Sequence, residues 1–334
     1  MTILFISFAI FLLIIDPQGA LMGAREGVDL CIQTVIPSLL PFFFLSVVLT
    51  NRLSGRKIPM LNALGRLLRL PEGAEAIFII GILGGYPVGA QAIAQTTQMG
   101  QLDHKSAGRM LGFCSNAGPS FIFGILGGLF SAPCATWALW LIHIISAILV
   151  GISLPGNCQS TVAGSQNNRI TPPEALERAV KIMASVCGWV ILFRVMISFL
   201  SRWVLWLCPQ VLQTIIVGSL ELTNGCCALT DIENEGLRFI LASCFLAFGG
   251  SCVAMQTMAV TRSIGTGQYF PGKIMQTMIS FLLSLCYQAL FFPDSLKTSF
   301  RPIIWCPVLI VLLVVLSYLQ KPKNNSSIPQ LSGV

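Results

Sequence analysis

The sequence predicts an all-α polytopic membrane protein built from inverted repeats with two re-entrant hairpins and about eight full spans, and three observations carry that prediction. Of 334 residues, 54% are hydrophobic and only 10% are charged, against roughly 25% charged in an ordinary soluble domain, and the mean hydropathy is +0.80. The apolar residues come in charge-free runs long enough to cross a bilayer core, which takes about 20 helical residues. Breaks rich in Gly, Pro and polar side chains interrupt those runs in an order that occurs twice. A soluble globular enzyme is excluded, because so few charges could not keep a water-exposed surface dispersed.

The charge-free runs divide the chain in order: 1–15, 30–51, 76–102, 110–168, 239–261, 274–293 and 302–320. Residues 1–15 resemble the apolar stretch of a signal peptide, but no basic segment precedes them, so they read as an uncleaved first helix. The 110–168 run is long enough for two helices, with a short turn at Ser131, Ala132 and Pro133. The polar stretch from Gly156 onward, rich in Ser, Asn and Gln, reads as a linker. The predicted organisation is an N-terminal membrane helix (1–26), a first repeat (27–155), a polar linker (156–176), a second, inverted repeat (177–292) and a C-terminal membrane helix with a polar tail (293–334). Residues 60–70, with Leu61, Leu64, Leu67 and Leu68 opposite Arg66 and Arg69, read as an amphipathic helix on the inner membrane surface.

The repeat is the most informative feature. In the first half, a helix containing Pro37, Ser38 and Pro41 leads to a break at Gly84, Gly85, Tyr86, Pro87, Val88, Gly89 and Ala90. A helix interrupted at Ser115, Asn116, Ala117, Gly118 and Pro119 follows, and then a plain span. The second half repeats the order, with residues 188–200 for the first helix, a break over residues 221–226 and another over 248–251. Taking 76–99 and 211–231 as hairpins puts Arg52, Arg56, Lys57, Arg66, Arg69, Lys105, Arg109, Arg169, Arg178, Lys181, Arg262, Lys273, Lys321 and Lys323 on the inner side. Arg25, Arg202, Arg238, Lys297 and Arg301 fall outside with the acidic loop Asp231, Glu233 and Glu235, an arrangement that follows the positive-inside bias. Both termini are then cytoplasmic, with Arg56 and Lys321 on one side, and an odd number of crossings per repeat inverts the second copy.

Helix breaks at membrane depth need a protein or water-filled cavity to receive the freed N–H and C=O groups. Four breaks therefore point to a mid-membrane site, where half-helix N-termini attract anions and unwound carbonyls accept cations. The expected hairpin tips are residues 84–90 and 223–227, and the expected substrate contacts are Tyr86, Pro87, Gln91, Asn116, Ser120, Thr223, Asn224, Gly225, Ser251 and Gln256. Glu221 beside the second hairpin break is the candidate coupling residue or a helix cap, and Arg194, inside a span, is its candidate charge partner or a neutraliser of substrate carboxylate. Arg109 reads as a positive-inside anchor, His104 as a solvated loop residue and His143 as a packing residue.

The motifs Gly85-Tyr86-Pro87-Val88-Gly89-Ala90, Asn116-Ala117-Gly118-Pro119, Glu221-Leu222-Thr223-Asn224-Gly225 and Gly249-Gly250 resemble those of the YlbJ family of sporulation integral membrane proteins, in the wider nucleoside-recognition or Gate group. The resemblance covers roughly residues 27–292. It implies a fold similar to the concentrative nucleoside transporters and, for sporulation members, movement of dipicolinic acid into the developing spore. The sequence departs from the family after the double glycine, where Ser251, Cys252, Val253, Ala254, Met255 and Gln256 lack the family's His.

The expected partners are a small-molecule solute, probed first as an anionic aromatic metabolite, the lipid bilayer, a coupling cation or proton and further copies of the chain. Nucleic acid is not expected, since the 20 Lys and Arg that outnumber 13 Asp and Glu are scattered between apolar runs. No metal or other cofactor is expected either. The chain has only two His, and most of its twelve Cys lie inside apolar runs without metal-ligand spacing. A non-transporting scaffold or gate component of a larger complex, or a nucleoside carrier, are the alternatives. Enzyme chemistry is not expected, for want of a Ser/His pair, paired Asp, HExxH or phosphate-binding loop.

Overall fold

The computed structural model describes residues 2–53, 59–71, 73–156 and 170–291, and all regular structure among them is helical. Expectations for Arg56, Lys57, Arg169, Lys297, Arg301, Lys321, Lys323, most of the linker and the 302–320 span lie outside the described residues.

Among the described residues, five helical stretches are long and apolar enough to cross a membrane: Pro17–Arg52, His104–Leu129, Pro133–Ser153, Pro172–Trp203 and Glu235–Val260. The chain is a polytopic helical membrane protein. Helix α1 (Thr2–Ile15) ends at Asp16, whose carboxylate accepts from the Gly19 N–H at 2.9 Å and starts α2 (Pro17–Leu30) with Pro at its first position. A π-helical turn, Cys31–Val35, joins α2 directly to α3 (Ile36–Leu53), so the expected boundary at residue 26 falls inside one continuous helical stretch.

Helix α10 (Pro172–Trp203) lies antiparallel along this stretch. A capping box opens it, in which the Thr171 N–H donates to Glu174. Arg202 pairs with Asp16 at 3.2 Å, the Ser198 hydroxyl donates to the Gly19 carbonyl, Arg194 pairs with Glu26, and the Ile170 N–H donates to Asn51. Gly19, Gly23 and Gly27 recur every four residues on the facing side, and Cβ atoms on Gly23 and Gly27 would press into the α10 backbone. Small residues at this spacing permit the close helix approach on which packing in lipid depends.

The remaining elements are α4 (Asn62–Leu67), α5 (Glu75–Gly84), α6 (Val88–Gln98), α7 (His104–Cys114), α8 (Pro119–Phe121), α9 (Pro133–Ser153), α11 (Gln210–Leu220), α12 (Leu222–Ala228), α13 (Glu235–Phe248), α14 (Gly250–Val260) and α15 (Tyr269–Phe291). After α8 the chain continues as π and 3-10 turns to Leu129. Residues 60–70 form a 3-10 turn and the short α4, with Leu68 buried and Arg66 exposed.

One end of the bundle is tied together by Arg109, which donates to the Leu68, Gly151 and Leu154 carbonyls, and by the Gln268 N–H, which donates to the Gly108 carbonyl. At the other end, Ser131 bonds Glu235, Arg238 reaches the Leu129 and Ile232 carbonyls, and Gln210 bonds Asp231. The α5–α6 pair opens toward the first end, and the α11–α12 pair toward the second.

Both pairs are folded back on glycine. Cβ atoms on Gly81 or Gly89 would collide with the Cys114 carbonyl, and one on Gly225 with the Gly218 backbone. Valine in place of Gly81 is therefore overpacked against backbone that cannot yield as a side chain would. Gly81→Val should lower the thermal midpoint in detergent by about 3 °C or more. Gly188→Ala, where the added methyl meets open space, should leave the midpoint unchanged or raise it. A Gly81→Val midpoint equal to the parent's would rule the close contact out.

Candidate functional site

The first break is confined to Gly85, Tyr86 and Pro87, between α5 and α6. Gly85 adopts φ +74°, which favours glycine, and the Tyr86–Pro87 peptide is cis. Gly85 rests on Gly118, in the interruption between α7 and α8. The second half repeats the contact. Its break lies at Glu221, between α11 and α12, and Gly250 at the interruption between α13 and α14 packs on the Gly218 and Leu220 carbonyls. The two halves meet where Gly249, at φ +79°, lies against the Tyr86 ring and the Tyr86 hydroxyl donates to the Leu246 carbonyl at 3.2 Å.

This corrects one expectation. Residues 223–227 are not a hairpin tip but part of α12. The Asn-Gly pair there serves helix packing, through Gly225 on Gly218, and the chain turns at Glu221 instead. The Glu221 carboxylate accepts from the Thr223 N–H at 3.0 Å and from both the Asn224 N–H and side-chain amide at 2.7 Å. It therefore satisfies donors at the start of α12 that would otherwise be orphaned inside the protein.

Both breaks and the first interruption, with Val253 and Gln256 of α14, line one small cavity of about 40 Å³, whose walls include Gly85, Tyr86, Gly118, Ser120, Glu221, Thr223 and Gln256. That is room for no more than a few waters. Of the residues named from the sequence, Tyr86, Ser120, Thr223, Gln256 and the coupling candidate Glu221 lie together in its wall. Pro87, Gln91, Asn116, Gly225 and Ser251 are not among its lining residues. Pro87 precedes α6, Gln91 lies within α6, and Ser251 donates to the Ser219 carbonyl. Asn116 is fully buried behind the wall, donating to the Phe113 carbonyl and accepting from Gln276 at 3.0 Å.

A larger, open vestibule of about 390 Å³ lies on the Glu235 end, lined by Glu26, Arg194, Gln210, Gln213, Asn224 and Asp231 among others. Asn224 therefore faces the vestibule while its amide holds the Glu221 carboxylate of the inner cavity. Arg194 stands in the vestibule wall paired with Glu26 at 2.5 Å, not with Glu221, because α10 packs on α2 there.

Sequence reasoning missed Lys273. It is buried in α15 rather than lying in an inner loop, and its Nζ donates to the Tyr86 hydroxyl at 3.0 Å, to Gln276 Oε1 at 2.7 Å and to the Ser115 carbonyl. A helical-period stripe of Lys273, Gln276, Ser280, Ser284 and Gln288, all buried, was the available signal. Polar groups recurring on one face of an apolar helix face protein rather than lipid. Arg109, read from the sequence as a positive-inside anchor in an inner loop, is buried in α7 among three carbonyls. His143 is a packing residue as expected, and its Nε2 accepts from the Ala117 N–H in the first interruption.

Over 159 residues the chain aligns at 30% identity with the sporulation integral membrane protein YlbJ of Bacillus subtilis strain 168. The chain is similar to a sporulation membrane protein. The aligned stretch is 46% of this chain and 39% of the relative, and it bears out the YlbJ-like resemblance read from the motifs. No family model and no solved structure matches the chain. The match to an integral membrane protein and the apolar helices together put this protein in a membrane.

Proposed function

We propose that the protein is an alternating-access carrier for a small anionic solute, of the dipicolinate type, which binds where the two re-entrant hairpins and the two interrupted helices meet. The observation that carries this reading is the convergence of both breaks and the first interruption on one small cavity, with Gly249 of the second interruption packed on the Tyr86 ring in its wall. Helices α6 and α14 begin near that region without a side-chain cap; the Val88 N–H is held by the Gly85 carbonyl, and N–H groups further into these first turns are the donors a carboxylate would use, in charge-assisted bonds that contribute about 1.5–3 kcal/mol each.

Support for inverted repeats comes from the two helical pairs opening toward opposite ends of the bundle. Support for a cytoplasmic hairpin-one end comes from Arg66, Arg69 and Lys105 near it, against Asp231, Glu233 and Glu235 at the other. The vestibule is then the outer approach, with Asn224 between it and the cavity. The relative's name supports a setting in sporulation, and the resemblance of the motifs to the nucleoside-recognition or Gate group makes nucleosides the comparison solutes.

The test is flux into proteoliposomes holding the full chain. Pyridine-2,6-dicarboxylate uptake should saturate with concentration and exceed that of empty liposomes, with uridine and adenosine as comparison solutes. Rates equal to empty liposomes for all three would overturn the carrier reading in favour of a scaffold.

A further inference from the structure

Lys273 carries chemistry that nothing in the proposed solute site uses. It is 1% exposed, and among the described residues no carboxylate is paired with it. Three neutral oxygens hold its ammonium instead: the Tyr86 hydroxyl on the hairpin-one break, Gln276 Oε1 one turn along α15, and the Ser115 carbonyl just after α7. The Tyr86 ring adds its face, with the centroid 5.1 Å from Nζ.

The Ser115 carbonyl belongs to the negative end of the α7 dipole, where helical bonding has stopped. Uncharged oxygens gathered at the C-terminal end of a broken helix are the ligand set with which such proteins coordinate a coupling cation. Here a side-chain ammonium occupies the cage. We propose that Lys273 is a tethered cation filling an alkali-cation site at the first helix interruption, so that coupling runs through proton exchange on Lys273 and needs no bound sodium.

The proposal rests on the carrier reading for its coupling role, and on the cage alone for the site. When the cage parts, the ammonium gives one proton to water and is left as a neutral amine. It regains one proton from water on the other side, and no other species is consumed.

The titratable groups facing it are Tyr86 from the first hairpin, Cys114 from α7 and His143 from α9, while Tyr269 on its own helix acts on Tyr86. His143 accepts the Ala117 N–H on Nε2, which leaves its proton on Nδ1 and the ring neutral. Helix α13 enters through the Leu246 carbonyl, which accepts from Tyr86. A chain from Lys273 through Tyr86 to Leu246 thereby ties α15 to the first hairpin tip and to the turn before the second interruption. Loss of the ammonium's proton loosens both at once.

Two measurements test this. Thermal midpoints of the full chain in detergent are compared in sodium, lithium and choline chloride. The parent should show one midpoint in all three, whereas Lys273→Ala should gain about 2 °C or more in sodium or lithium over choline, and Lys273→Ala with Gln276→Leu should lose that gain. A sodium-specific shift in the parent, or none in Lys273→Ala, overturns the proposal. Lys273→Ala that fails to fold in all three salts also overturns it, because an alkali site would be refilled.

The second measurement is pyridine-2,6-dicarboxylate uptake by the parent in proteoliposomes. A proton gradient should drive it, and replacing sodium with choline should leave it unchanged; uptake driven by a sodium gradient overturns the proposal. Absence of any flux would sink the carrier reading while leaving the cation-site outcome readable from the midpoints.

Discussion

Arg109→Met should destabilise the protein by about 3 kcal/mol or more, the largest stability loss expected of any single polar substitution in it. The Arg109 guanidinium donates to the Gly151 carbonyl at 2.6 Å, Leu68 at 2.9 Å and Leu154 at 3.3 Å, with its Cζ 5.2 Å from the centre of the Phe113 ring. Two of these carbonyls end α9 and one ends α4, so a single cation closes two helix C-termini and attaches both to α7. Methionine fills much of the volume but leaves those carbonyls without the ionic donor, and each charge-assisted bond is worth about 1.5–3 kcal/mol. Arg109→Lys should recover only part of the loss, because an ammonium is a point donor and cannot span the three acceptors as the guanidinium fork does. A thermal midpoint in detergent should fall by about 6 °C or more for Arg109→Met. A fall below about 2 °C would show that the clamp contributes little.

Glu221→Ala is expected to impair both folding and transport. Its carboxylate is 2% exposed and takes three donors from the start of α12. Alanine leaves two backbone N–H groups and one amide without their acceptor, at about 1–3 kcal/mol for each group that water cannot reach. Glu221→Gln keeps one acceptor oxygen and turns the other into a donor that faces donors, so it should fall between parent and alanine. The order parent, Gln, Ala should hold in thermal midpoint and in dicarboxylate uptake, with proton-driven accumulation reduced in Gln and absent in Ala. Full stability in Glu221→Gln together with complete loss of accumulation would instead give the coupling role to Glu221.

The first hairpin was legible because Gly84, Gly85 and Pro87 stop a helix for reasons local to the chain: the open conformation of Gly85 and the missing N–H of Pro87. The second was misplaced by a few residues because its turn is made by a side chain. Asn224 and Gly225 look like a turn, yet once Glu221 caps α12 they are helical, and the glycine is there for contact with Gly218. Lys273 and Arg109 were read as loop charges because each borders a charge-free run, and linear position cannot distinguish a membrane surface from an interior packed by other helices. The Glu26 pairing of Arg194 was equally hidden, since it depends on α10 lying against α2. Local backbone chemistry was readable in one chain; contacts between distant elements were not.

The small size of the central cavity has a consequence for measured affinity. About 40 Å³ cannot admit an aromatic dicarboxylate, so under the proposed carrier function a solute of that class would engage only molecules whose two helical pairs have already separated. Its apparent dissociation constant would then be the intrinsic value divided by the fraction of such molecules. A substitution that spreads the Gly85–Gly118 or Gly218–Gly250 contacts slightly would enlarge that fraction, and could tighten apparent binding without touching a single atom that contacts the solute. On that reading the glycines packed around the cavity would act on affinity through conformational population rather than through contact.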